Sequence, residues 1–197
     1  ILFFDTQGSP RAVDYIDTLD AENPVKSWDS SQPFTLAARA SRVIEFVSPR
    51  GVTPQGEADV RSGWARVESS GHIRGSIRYQ LVNQEDGSLI EDVGIPTERP
   101  GRDFQTAFRL KDEFAFAVTN PGDTRVVVEL SVYGRLDPTS LVASEAILLE
   151  PGEMKAMFLD EILIGLEIVE GHLWIRSDDE KDFVLSGLIT QNGFFVS

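Results

Sequence analysis

At 197 residues, with an apolar fraction of 41% that includes 12 Phe and 3 Trp, the chain can bury a core as one large β domain or as two small ones, since domains run to about 100–200 residues. Its 32 Asp and Glu against 18 Lys and Arg give a formal charge of −14, which repels phosphate backbones and anionic lipid and argues against a nucleic-acid partner. The absence of Cys removes disulfides and thiolate metal sites, and no run approaches the roughly 18 consecutive apolar residues of a membrane span, so no membrane insertion is expected.

The chain opens on Ile, with no basic stretch followed by an apolar one as in a secretory leader. It therefore reads as a processed or excised piece of a longer protein. Segments rich in Val, Ile, Phe, Trp and Tyr predict strands over residues 1–4, 34–36, 42–47, 63–68, 73–82, 104–110, 114–118, 125–133, 146–149, 153–159, 172–176 and 183–190. Alternation is clearest where Ile73, Gly75, Ile77, Tyr79 and Leu81 interleave with Arg74, Ser76, Arg78 and Gln80. Helix is scarce, with a short turn predicted over 158–163 and a weaker one over 14–19.

Turn residues punctuate the strands. Gln84 to Gly87 and Asn120 to Asp123 read as hairpins, and Glu150-Pro151-Gly152-Glu153 reads as a type II turn with Pro and Gly at its two centre positions. Residues 96–103, with two Pro, one Gly and four charges, disfavour regular structure and mark a boundary between repeats.

Self-similarity supports that boundary. "GWARVESS" from Gly63 aligns with "GHLWIRSD" from Gly171, "FTLAARASRVIEF" from Phe34 with "ILLEPGEMKAMFL" from Ile147, and "IRGSI" from Ile73 with "LSGLI" from Leu185, in the same order. The expected fold is all-β: two tandem antiparallel β-sandwich (Ig-like) units related by internal duplication, residues 1–100 and 101–197. A single irregular sandwich is the alternative. The same register sets "ILFFDTQG" from Ile1 against "VVVELSVYG" from Val126, so the first unit lacks the counterpart of "FAFAVTN". Ile1, Leu2, Phe3 and Phe4 are then expected to form an open edge that a strand from another copy, or from an upstream segment, would fill.

The strand ending in Asn-Pro-Gly, the "LEPG" turn, "FLDEI", "GHLWIRS" and "VLSGL", preceded by "SGWARVESSGHIRGSIRY" and "EDVGIP", resemble a tandem β-sandwich repeat of secreted or cell-surface proteins of environmental bacteria. The resemblance leaves out residues 9–33. It implies secretion or surface display and a scaffold role, and it carries no catalytic residue.

Residue by residue, the chemistry is sparse. His72 and His172 have no Cys to complete a zinc site and read as surface histidines. No G-x-S-x-G elbow is present, and 32 acids make carboxylate pairs inevitable without selecting one, so no catalytic residue and no cofactor is expected. Asp178, Asp179 and Asp182 within "SDDEKD" are candidate calcium ligands, but they lack the spacing of a known calcium loop, and a solvated hairpin tip is preferred. An acidic loop over 14–23 reads the same way. Trp64 and Trp174 are expected to serve core packing before a ligand face, whereas Trp28, in a polar loop, is the candidate exposed aromatic. The expected function is a non-enzymatic extracellular structural or assembly module whose partners are other protein chains or copies of itself, with a carbohydrate-binding module using Trp28 as the alternative.

Overall fold

The computed structural model of the chain describes residues 1–16, 22, 25–28, 33–46, 63–82, 89–109, 114–135, 137, 139–162, 170–178, 180–191 and 194–196. The fold is all-β, built from several antiparallel sheets, with one helix of a single turn among the described residues. No described helix is long and apolar enough to cross a membrane. The chain forms two compact units, Ile1–Ser70 and Gly71–Ser197, a division that falls ahead of residues 96–103.

The first unit holds β1 (Leu2–Asp5), β2 (Val13–Ile16), β3 (Val25–Trp28), β4 (Glu45–Phe46) and β5 (Gly63–Arg66), arranged as a β1-β5 pair and a β3-β2-β4 sheet. Val13 to Ile16 is thus strand where the sequence predicts the start of a helix, because Tyr15 alternates inward to meet Trp28 edge-on at 5.2 Å. Residues 34–36 lie outside any strand, with Phe34 instead packing edge-on against Trp28 at 5.7 Å.

The open edge expected at Ile1, Leu2, Phe3 and Phe4 is occupied on both sides. β5 pairs along one side, Leu2 opposite Arg66 through Asp5 opposite Gly63. On the other side Asp5 turns the chain back: its carboxylate accepts the Gln7 and Ser9 N–H groups at 2.9 and 2.8 Å, and the Asp5 N–H donates to the Ser9 carbonyl at 3.0 Å. The Arg11 N–H then reaches the Phe3 carbonyl at 2.8 Å, and Trp28 Nε1 donates to the Ile1 carbonyl at 3.2 Å.

The second unit begins with β6 (Ser76–Val82) and β7 (Leu89–Pro96), an antiparallel pair whose predicted turn at 84–87 lies outside the described residues. Then come β8 (Asp103–Arg109), β9 (Phe114–Thr119), β10 (Val126–Gly134), β11 (Leu141–Leu149), β12 (Met154–Phe158), α1 (Leu159–Ile162), β13 (Glu170–Ser177), β14 (Val184–Gln191) and β15 (Phe194–Val196). They form two four-stranded sheets, ordered β11-β10-β13-β8 and β12-β9-β14-β15. One buried cluster draws on both: Phe108, Leu130, Val132, Ile147, Leu173 and Ile175 from the first sheet, Phe116 and Val118 from the second, with Leu159 and Phe183. Alternation explains the pattern, since Val126, Val128, Leu130 and Val132 are all fully buried along β10. Each such side chain stabilises the fold by roughly 1.5–3 kcal/mol.

The turns at 120–123 and 150–153 are not hairpins. β9 and β10 belong to different sheets, as do β11 and β12, so both turns carry the chain across the core. Gly152 takes the positive φ of 75° that the type II geometry demands, and the Glu153 N–H closes the turn on the Glu150 carbonyl at 3.0 Å. The "SDDEKD" connection likewise runs between sheets, from β13 to β14. Residues 96–103 are tied in as well, with Gly101 and Phe183 exchanging N–H to carbonyl bonds of 2.9 and 2.8 Å.

β10 and β11 are joined by a connection in which Asp137 Oδ1 accepts from the Thr139 hydroxyl at 2.7 Å and the Thr139 N–H at 3.1 Å. The Thr139 hydroxyl first, and then its N–H, hold the Asp137 carboxyl below its ordinary value. A lowered folded-state pKa means that the contribution is present above the ordinary aspartate value and is lost as pH falls through the folded one. NMR titration of the Asp137 carboxyl carbon is expected to give a midpoint below the usual aspartate range, and Thr139→Ala to return it upward.

Candidate functional site

The outer face of the β11-β10-β13-β8 sheet gathers the polar and aromatic side chains of the second unit. Register sets Glu129, Arg176 and Asp103 in one cross-strand row, Ser144, Ser131, Trp174 and Gln105 in the next, and Tyr133, His172 and Ala107 in a third. They point outward because their neighbours Leu130, Leu173 and Ile175 point into the core.

These side chains hold one another. Glu129 Oε1 accepts from the Ser131 and Ser144 hydroxyls at 3.4 and 3.3 Å, while its Oε2 lies 3.5 Å from Arg176 Nη2. The Arg176 guanidinium sits 5.2 Å from the centroid of the Trp174 ring, and Trp174 Nε1 donates to Asp103 Oδ1. Tyr133 leans on the indole at 6.2 Å and 49°. Trp174 and Tyr133 are half-buried, fixed by contacts yet open to solvent. The side chains of Gln105, Tyr133 and His172 make no hydrogen bond to any described residue. Beyond them Glu170 pairs with Arg109 at 3.3 Å and with Arg135.

Gly171 makes this face possible at its start. A Cβ there would lie 2.4 Å from the Tyr133 carbonyl oxygen and 3.2 Å from the Phe108 ring, so only glycine lets β13 approach β10 so closely.

The sequence-predicted residues fall elsewhere. Trp28 is only 2% exposed, a β3 core residue between Tyr15 and Phe34, so it offers no ring to a ligand. Trp64 stacks on Phe4 at 4.4 Å and 17° within the first unit. Asp182 is engaged by Arg102 Nε at 2.9 Å, Asp178 is exposed in the turn after β13, and Asp179 lies outside the described residues. Among the described residues no group of three His, Asp or Glu side chains comes together to hold a metal ion. His72 is exposed in the connection before β6, and of the acidic stretch 14–23 only Asp14, Tyr15, Ile16 and Glu22 are described. Trp174, expected to pack in the core, stands half-buried on the outer face instead, and Tyr133 is the aromatic beside it that the sequence reading did not single out. The signal lay in "EGHLWIRS", where small and aliphatic Gly171, Leu173 and Ile175 alternate with His172, Trp174 and Arg176. Comparison with family models, with curated proteins and with solved structures finds no match for the chain.

Chemically, the face combines one oriented indole, a phenol, an imidazole and an amide above a charge-compensated row. These groups can offer a ring face and both donate and accept hydrogen bonds.

Proposed function

We propose that the chain is a non-catalytic structural module of a secreted or cell-surface assembly, built from two Ig-like β-sandwich units that arose by duplication and associating with further copies along the outer side of β11. The sandwich reading of the second unit is supported by the one buried cluster that takes side chains from both four-stranded sheets. Duplication is supported by a shared detail. A Cβ on Gly63 would meet the Phe4 carbonyl oxygen at 2.2 Å, as one on Gly171 would meet that of Tyr133, the two glycines being the first residue of β5 and the second of β13, each in an antiparallel pair. That equivalence makes Asp5 the counterpart of Gly134. The β6–β7 and β14–β15 antiparallel pairs then close the two repeats, 1–100 and 101–197, even though β6 and β7 lie in the second compact unit.

The observation that carries the assembly reading is β11 itself. It is nine residues long, stands at the end of its sheet, and exposes Leu141, Val142 and Leu148 by 53%, 42% and 42%. Long edge strands with apolar side chains and few charges are templates for pairing, and β11 carries one charge, Glu145. The Val127 carbonyl accepts the Asp178 N–H at 3.0 Å on the β13 side, so Leu148, opposite Val127, directs its own backbone groups outward. Lys155 Nζ guards the Leu148 carbonyl at 2.8 Å, but by the period of two the backbone groups of Ala146 and Ser144 also face outward and have no such guard among the described residues. Two copies pairing these segments antiparallel about a two-fold axis would satisfy them reciprocally.

Ala146→Pro tests this, since its N–H makes no bond to β10 and an edge strand tolerates proline there. Sedimentation velocity across a concentration series is expected to show wild type self-associating and the variant remaining monomeric with an unchanged melting temperature. A wild type that stays monomeric at high concentration, or a variant that associates as well as wild type, would overturn the reading.

A further inference from the structure

We infer that the outer face of the β11-β10-β13-β8 sheet is a binding platform for a neutral polysaccharide, with the Trp174 indole as the stacking ring and Tyr133, His172 and Gln105 as its hydrogen-bonding rim. The observations behind it are separate from the β11 edge. Trp and Tyr are enriched at binding surfaces, and a site is most precise when its side chains are locked by their neighbours. Both side chains are half-buried here, and neighbours on the same face set the indole. Asp103 takes the indole N–H, Arg176 covers part of the ring at 5.2 Å, and Tyr133 braces it at 6.2 Å. The platform stands on β10 and β13, whose inward side chains Leu130, Val132, Leu173 and Ile175 are essentially fully buried. A ligand therefore meets a face that is already ordered, which lowers the entropic cost of binding.

The choice of ligand class follows from the rim. A phenol, an imidazole and a primary amide each donate and accept hydrogen bonds, and all three have this capacity unspent toward the described residues. Sugar hydroxyls also donate and accept, so they match all three. A phosphate or carboxylate would need donors alone, and a cation acceptors alone. The row beside Trp174 holds Glu129, Arg176 and Asp103 already in contact with one another or with the indole, so the one cation among the described residues of this row is already paired. The charge of −14 adds long-range repulsion against acidic glycans. Strands about 4.8 Å apart set Tyr133, His172 and Gln105 across three neighbouring strands, so successive sugars of an extended chain meet successive side chains.

The test is affinity electrophoresis of the full chain through gels containing hydroxyethylcellulose, mixed-linkage β-glucan, galactomannan or arabinoxylan, with polygalacturonate and alginate as acidic counterparts. At least one neutral polymer is expected to retard the protein, and Trp174→Ala to weaken that by about tenfold or more. Gln105→Ala and Tyr133→Phe, both on the exposed face, are expected to weaken it several-fold with unaltered circular dichroism, and they decide the matter should Trp174→Ala not fold. Retardation by none of the neutral polymers, preference for the acidic ones, or undiminished binding by Gln105→Ala and Tyr133→Phe together would overturn the proposal. So would a protein partner that depends on Trp174 where no glycan binds.

Discussion

Replacing Asn120 by alanine is expected to cost about 2–4 kcal/mol of stability. The side chain is 1% exposed, and its Nδ2 donates to the carbonyls of Thr124, Leu149 and Glu150 at 2.9, 3.3 and 3.0 Å. Its Oδ1 accepts the Gly122 N–H at 3.0 Å, while its backbone exchanges with the other crossing through Glu153 and Gly152 at 2.9 and 3.0 Å. One residue thus stitches together the two connections that carry the chain between sheets. Alanine keeps the backbone bonds and abandons the rest. Glu150 retains the Glu153 N–H and Leu149 its place in the β10–β11 ladder, so the Thr124 carbonyl and the Gly122 N–H lose most, which sets the figure below that of a wholly orphaned network. Asn120→Asp is expected to be worse than alanine, because it turns a carboxylate oxygen toward three carbonyls. Urea unfolding of the two variants checks both the size and the order. A loss below about 1 kcal/mol for alanine would remove Asn120 from its stitching role.

That residue also shows where sequence reading stops. Asn-Pro-Gly and Glu-Pro-Gly announce turns because proline fixes φ and glycine accepts a positive one, a preference confined to four residues. Whether the strands on either side pair with each other depends on neighbours far along the chain. The first reads as a hairpin and the second as a type II turn, and both carry the chain from one sheet to the other. Trp28 failed for the same reason. Its local surroundings, "VKSWDSSQP", are polar, and its burial comes from Tyr15, Phe34 and the Ile1 carbonyl, the last 27 residues away. β2 and β3 were missed because "VDYI" and "VKSW" are short and set among acidic and polar residues, leaving too few alternations to read. By contrast, β10 and β13 were visible, since their alternation runs over nine and eight residues. The candidate face was half legible: parity put His172, Trp174 and Arg176 together, but only pairing with β10 and β8 brought Tyr133, Gln105 and Asp103 beside them.

Phe183→Ala is expected to cost about 3–5 kcal/mol, the larger loss of the two. Phe183 is fully buried and meets the Phe104 ring edge-on at 5.1 Å and 64°. Phe104 lies on β8 in the first sheet and Phe183 stands immediately before β14 in the second, so the pair joins the two layers where the chain enters and re-enters the core. Truncation removes the ring's buried area and leaves a void that Phe104 can fill only by leaving its own site. It also loosens the backbone exchange between Gly101 and Phe183, one of the contacts that tie residues 96–103 into the folded unit, beside the bonds from Thr97 to Gly75 and from Ser177 to Arg102. Phe183→Leu keeps most of the volume and should cost far less. Since the two rings touch, the double variant with Phe104→Ala should lose less than the sum of the single losses, by about 0.5–1.5 kcal/mol. Amide exchange at Gly101 separates the two parts of the loss. Faster exchange there, beyond the rise set by global unfolding, is expected for alanine and not for leucine. Equal exchange in both variants would mean that the ring stabilises the core without holding the segment before β8.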